Sequence, residues 1–291
     1  MALPIRARPQ RTLARPTAVS GRGYWSGIPV HVTFEPAPVG TGIVFRRDDL
    51  GARPVVPARV GHRVDATQRT VLARGTVEVQ MVEHVLSALV ALEIDNCVVA
   101  VDAAELPGLD GSSAPFVAAI DAAGVVDTEA TCVPLVVGEP IRVASGDGWI
   151  EARPSCSGGL SIEYELDYGS GPIGRQRFAI DVTPVAYRSE LARARTFLTR
   201  EEAHRLQAAG LGRDVTPRDL VVFGADGPID NPLRWPDECV RHKVLDAVGD
   251  LALVGRPVVA HVRAHRSGHR LNAALVEAML GADERRQPLS A

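Results

Sequence analysis

The stretch VRHKVLDAVGDLAL (240–253) repeats in outline an earlier one, VEHVLSALVALEI (82–94), so that His242 falls on His84 at an offset of 158 residues (242 − 84). Both carry apolar residues at helical spacing, Val82, Val85, Leu86, Leu89 and Leu92 in the earlier copy. Each is followed by an apolar strand, NCVVAVDA or RPVVAHVRA, and then by a turn that opens another helix, DGSSAPFVAAI or SGHRLNAALVEAML. Self-similarity at so long a period marks a duplicated unit, carried here by the order of elements more than by identity. The architecture it predicts is α+β: two similar domains, each a mostly antiparallel sheet with helices on one face. Packing the helical layers face to face brings His84 and His242 to one interface. The boundary is expected in the mixed polar stretch GVVDTEATCVP (124–134), which gives domains 1–128 and 129–291.

Working outward, residues 21–49 hold two β-branched runs joined by Pro and Gly turn chemistry, a hairpin-type opening. Further strands are expected at 53–60, 70–80, 148–155, 160–169 and 175–182, and a helical region over 188–209. The first 16 residues, MALPIRARPQRTLARP, are basic without an apolar run of signal-peptide length and read as a loose leading arm.

Composition narrows the function. The 291 residues are 46% hydrophobic and 23% charged, with room for about two domains. A net charge of −3 provides no basic field for nucleic acid. Cys97, Cys132, Cys156 and Cys239 are scattered, without a CxxC pair, which suggests neither a disulfide framework nor a thiolate zinc site. A cytoplasmic protein without a transmembrane segment is expected.

The chemistry lies on the repeated helix. His242 and Asp246, four residues apart, point the same way and can grip one ion, and Asp250 lies one turn further on. His84 on the matching helix is the natural third ligand. Two histidines and a carboxylate leave the fourth position of a tetrahedral zinc open for water, and Glu83 stands next to His84 to take its proton. A plain His/Asp ion pair has the same spacing, and EH without a second histidine four residues on is not the HExxH signature. In RSGHRLN, Ser267 and Gly268 read as a turn and cap that place His269 at a helix start, where a catalytic imidazole can be held. His31, His62, His204, His261 and His265 have no defensible partner spacing and read as structural or surface residues.

Taken together, RHKVLDAVGDLALVGRPV, RSGHRLN, MVEHVLSALVALEIDN, PGLDGSSAPFV, ARTF and GTGIVFRR resemble the UDP-3-O-acyl-N-acetylglucosamine deacetylase family over about residues 20–280. The resemblance implies Zn2+ on His84, His242 and Asp246, with Glu83 as general base and an active site between the domains. It further implies that His269 is the second catalytic histidine with Asp250 as its carboxylate partner, that Thr196 helps polarise the amide oxygen, and that Lys243 and Phe197 line the substrate site. The implied reaction releases acetate from UDP-3-O-acyl-N-acetylglucosamine, the committed step of lipid A synthesis. The implied partner is that UDP-linked substrate; nucleic acid is not expected, any contact with a membrane surface is expected to be transient, and a monomer is expected although the sequence does not give the oligomeric state.

Two departures stand out. GRGYWSG has Tyr24 and Trp25 where the family carries a GxGLHSG-like turn. The insert at about 197–225, which in the family shapes the passage for the acyl chain, has LTREE and GRDVTPRD in place of a glycine-rich segment. They leave two alternatives open: a zinc deacetylase of another N-acyl amino sugar, or a catalytically silent binding or regulatory member.

Overall fold

A computed structural model describes residues 8–286. The leading arm is a strand from Pro9 onward: β1 (Pro9–Leu13) pairs antiparallel with β10 (Val125–Thr131), and residues 1–7 of the expected arm lie outside the described residues. The stretch read as a polar connection is therefore β10, and the expected division at 128/129 falls inside it. The misreading has a physical cause. β10 packs no apolar face, its side chains being exposed or half-buried, so no period of two is visible.

In the first half, β2 (Thr17–Arg22), β3 (Pro29–Pro36), β4 (Ile43–Arg47), β5 (Val55–Pro57) and β9 (Cys97–Val101) form a sheet of order β2-β3-β9-β4-β5. β3 and β4 are thus not hairpin partners; β9 lies between them, antiparallel to β3 and parallel to β4. β6 (Arg63–Val64), β7 (Val71–Arg74) and β8 (Val77–Gln80) make a small separate sheet. In the second half, β11 (Leu135–Val136) flanks a sheet of β12 (Ile141–Ser145), β13 (Gly148–Arg153), β14 (Leu160–Asp167), β15 (Arg175–Asp181) and β18 (Val258–His265) in the order β12-β13-β18-β14-β15. The two orders are the same path, with the last strand entering third and pairing parallel to its later neighbour. The duplication expected from the sequence is present in the topology.

Each sheet buries alternate residues, such as Val30, Val32 and Phe34 on β3 and Ile162, Tyr164 and Leu166 on β14. Onto these faces pack the helices: α2 (Ala114–Ala123) against β2, α5 (Glu238–Leu251) against β14 and β15, and α6 (His269–Arg286) against β12 and β13. α1 (Glu83–Ala91) lies along α5, so the helical layers face each other. α1 opens after Met81, whose left-handed backbone (φ 61°) turns the chain out of β8. It ends where Glu93 turns left-handed (φ 61°) and the Ile94 N–H returns to the Leu89 carbonyl at 2.9 Å, a Schellman closure.

The seam between α1 and α5 is very close. A Cβ on Gly249 would lie 2.8 Å from the carbonyl carbon and 3.0 Å from the Cα of Glu83, so only glycine admits this backbone approach. The Ser87 hydroxyl crosses the seam to the Leu245 carbonyl at 2.8 Å.

The helical region expected over 188–209 is interrupted. After α3 (Pro184–Ala186) and a wide turn over Tyr187–Leu191, the chain extends through residues 194–196 into β16 (Phe197–Thr199), and only then forms α4 (Arg200–Ala208). β16 pairs parallel with β17 (Val221–Phe223), and the buried Arg195 guanidinium grips Glu238 at the start of α5. These tertiary bonds override a local helix pattern. α4 then begins with a capping box between Thr199 and Glu202.

Candidate metal centre and active site

The first turn of α1 and the middle of α5 meet at one end of a cavity of about 610 Å3, lined among others by Glu83, His84, Thr196, Phe197, His242, Lys243, Asp246 and His269. Every residue given a metal, catalytic or substrate role from the sequence, except Asp250, therefore lines one space. Asp250 sits behind His269 and is fully buried.

His84 Nε2 and His242 Nε2 lie 3.7 and 3.4 Å from Asp246 Oδ1, and one ligand atom from each residue falls within 4.8 Å of the other two. Tetrahedral ligands about 2.0–2.1 Å from a zinc ion stand roughly 3.3–3.4 Å apart, so the spacing fits a metal with little movement. His242 Nδ1 donates to the Ala194 carbonyl at 3.1 Å, which leaves Nε2 as the free lone pair. Burial lowers the imidazole of His242 to about 4, keeping it neutral as a ligand must be. Burial alone would raise the Asp246 carboxyl; the histidines and Lys243 around it hold it well below the usual carboxylate range. Lys243 Nζ binds Asp246 Oδ2 at 2.8 Å, leaving Oδ1 towards the histidines. The donor set thus fits a divalent transition metal.

Glu83 is buried beside this cluster. Its Oε2 accepts the Thr70 N–H at 3.0 Å, and burial raises its carboxyl pKa. The same cavity is lined by His269, the first residue of α6, reached through Arg266, a left-handed non-glycine residue (φ 47°). Its Nδ1 meets Asp250 Oδ2 at 2.8 Å. Burial pulls this imidazole down, but the Asp250 charge and hydrogen bond outweigh it and raise the pKa to about 9. The expected cap at Ser267 takes another form: its hydroxyl binds the Asn272 side chain at 2.7 Å.

Thr196 is half-buried on the cavity wall, its hydroxyl donating to the Gly111 carbonyl at 3.1 Å. Phe197 packs edge-on to His242 with centroids 6.3 Å apart. Beyond it the insert lines the cavity with Leu198, Leu206, Leu211 and Val215, joined by Ile229 just after it. His204, read from the sequence as surface, is exposed but on the cavity rim.

The changed turn at Tyr24 and Trp25 is part of the wall. Tyr24 OH donates to the Asp219 carbonyl of the insert at 2.7 Å, and Trp25 Nε1 points at Met81 Sδ at 3.1 Å. Two site residues escaped the sequence reading. Thr70 opens the strand expected at 70–80 and stands just before β7, where a β-branched residue fits the run and nothing marks it as part of a site. Asn272, whose Nδ2 donates to Asp250 Oδ2 at 2.8 Å, stands three residues after His269 on the same helix, a spacing that could have found it.

A family model for UDP-3-O-acyl N-acetylglycosamine deacetylase matches residues 10–281. The chain belongs to this deacetylase family. Among its relatives, a UDP-3-O-acyl-N-acetylglucosamine deacetylase of Anaeromyxobacter dehalogenans (strain 2CP-C) is 43% identical over 273 residues, covering 93% of this chain and 87% of that one. The protein of the same name from Brucella ovis is 41% identical over 274 residues, covering 93% and 95%. As a deacetylase-family chain it has, among the described residues, no helix long and apolar enough to cross a membrane.

Proposed function

We propose that this chain hydrolyses the N-acetyl group of UDP-3-O-acyl-N-acetylglucosamine, releasing acetate and the free amine, with a zinc ion held by His84, His242 and Asp246. The observation that carries the reading is the buried His-His-Asp cluster that shares one cavity with Glu83 and with His269, itself paired to Asp250. When bound, the ion supplies Lewis acidity towards the amide carbonyl and lowers the pKa of water at its open position to about 7.

The remaining chemistry belongs to the side chains. Glu83, with a carboxyl pKa raised by burial, takes the proton of the attacking water. His269, protonated up to about pH 9, faces the developing oxyanion and delivers a proton to the departing nitrogen. Asp250 fixes its tautomer and orientation, as Lys243 fixes the carboxylate of Asp246. Thr196 reaches the carbonyl oxygen once its hydroxyl turns from Gly111. Phe197 and the apolar side chains of the insert accept the acyl chain.

The test is acetate release from the UDP-linked substrate by the metal-loaded protein and by Glu83→Ala. The variant is expected to keep its metal and lose about 10²–10⁴ in turnover. Wild-type protein that releases acetate only from another N-acyl amino sugar moves the reading to that substrate, which the altered Tyr24–Trp25 wall would then explain.

A further inference from the structure

The proposed base and the proposed acid lie on different halves of the chain, yet one fully buried residue binds both the base and the carboxylate that holds the acid. Thr70 uses all three of its polar groups around the site. Its N–H donates to Glu83 Oε2 at 3.0 Å, its hydroxyl donates to Asp250 Oδ1 at 2.6 Å, and its carbonyl accepts the Val82 N–H at the opening of α1 at 3.4 Å. Asp250 in turn spreads its other oxygen between His269 Nδ1 and Asn272 Nδ2, each at 2.8 Å. The chain Glu83–Thr70–Asp250–His269 is therefore continuous across the seam.

We infer that Thr70 is a positioning residue that holds the general base and the His269–Asp250 pair in one frame, setting the distance across which a proton is removed on one side of the substrate and delivered on the other. The inference rests on the roles proposed for Glu83 and His269. A residue kept only for packing would need no hydroxyl here. The hydroxyl bond is a short O–H···O⁻ contact, and the carboxylate end is buried, so its loss leaves Asp250 Oδ1 without a partner. The loop geometry serves the same end: Gln68, two residues earlier, is left-handed (φ 56°), which turns Thr70 inward before β7 begins.

The test compares Thr70→Val, nearly isosteric but without a donor, with Thr70→Ser, which keeps the hydroxyl and loses a methyl. All variants are loaded with zinc, and kcat, KM, metal content and melting temperature are measured. Thr70→Val is expected to lower kcat about 10- to 100-fold with KM within about threefold and metal content unchanged, and Thr70→Ser to stay within about threefold of wild type. In an Asp250→Asn background, Thr70→Val should cost less than threefold, because the partner through which it acts is already gone. Thr70→Val at the wild-type rate, Thr70→Ser as slow as Thr70→Val, or an undiminished penalty in the Asp250→Asn background each overturns the proposal. If Thr70→Val fails to fold, Thr70→Ser decides alone, since packing predicts a loss there and positioning does not. Glu83→Ala in the same assay separates the two levels. Full turnover in that variant overturns the site assignment together with the proposal, whereas a dead Glu83→Ala beside an unimpaired Thr70→Val overturns the role of Thr70 only.

Discussion

Gly249→Ala puts the closeness of the helical seam to a direct test. The added Cβ would overlap the carbonyl oxygen of Glu83 and stand 2.8 Å from its carbonyl carbon, where ordinary contact begins at 3.4 Å, so α1 and α5 must part by roughly 1 Å or more. The obstacle is backbone on both sides and cannot rotate away. Parting the helices separates His84, on α1, from His242 and Asp246, on α5, by a similar amount, roughly five times or more the ±0.2 Å a metal site tolerates. Alanine gains up to about 1 kcal/mol in helix propensity over glycine, while overpacking costs about 1–3 kcal/mol. The clash wins, by about 1–2 kcal/mol. The metal-free protein is expected to melt roughly 2–8 °C lower, at about 2–4 °C per kcal/mol, and zinc affinity to fall at least tenfold, about 1.4 kcal/mol. Differential scanning calorimetry of the metal-free form and zinc competition with a chromogenic chelator read the two effects separately. A variant that melts as wild type and holds zinc as tightly would refute the argument that backbone contact at Gly249 sets the geometry of the site.

Removing the metal with a strong chelator should abolish acetate release, and added zinc should restore it; His84→Ala and His242→Ala, measured by elemental analysis, should hold less than a tenth of the wild-type metal. Arg195→Ala leaves the Glu238 carboxylate buried without its bidentate partner and should cost about 3–5 kcal/mol in urea unfolding, with little rescue by Arg195→Lys, which lacks the planar fork. Since the His269 pKa rises from its ordinary 6.5 to about 9 on folding, its contribution to stability is complete below pH 6.5 and lost as pH climbs through 9. An alkaline limb of kcat/KM near pH 9 should accordingly move to lower pH in Asp250→Asn, where only Glu83 and Asp246 still oppose the effect of burial; a limb that stays in place takes His269 out of the reaction.

What could be read from the sequence was what periodicity and repetition carry. The two helices, their following strands and the offset that pairs His84 with His242 lie within short windows, and Asp246 follows from one helical turn. The break at Ala194–Thr199 was hidden because its cause, the Arg195–Glu238 pair, spans 43 residues and leaves no local trace. β10 was missed for the opposite reason, since a strand with no buried face has no alternation to show. Thr70 and Gly249 belong to a third kind. Their roles are contacts across 180 and 166 residues, between elements whose meeting only the fold determines.

The seam has one more consequence. Helix positions 158 residues apart face each other much as they would between two identical subunits, where a surface meets its own copy. His84 and His242 keep that correspondence, with ring centroids 5.1 Å apart. Their neighbours do not: Ala88 answers Asp246, Val85 answers Lys243, Leu92 answers Asp250, and Arg241 answers Glu83. A perfectly mirrored pocket would offer a flat amide the same groups from either side and could not distinguish the entry of water from the exit of an amine. Losing the mirror at the charged positions around the two histidines gives this pocket a front and a back.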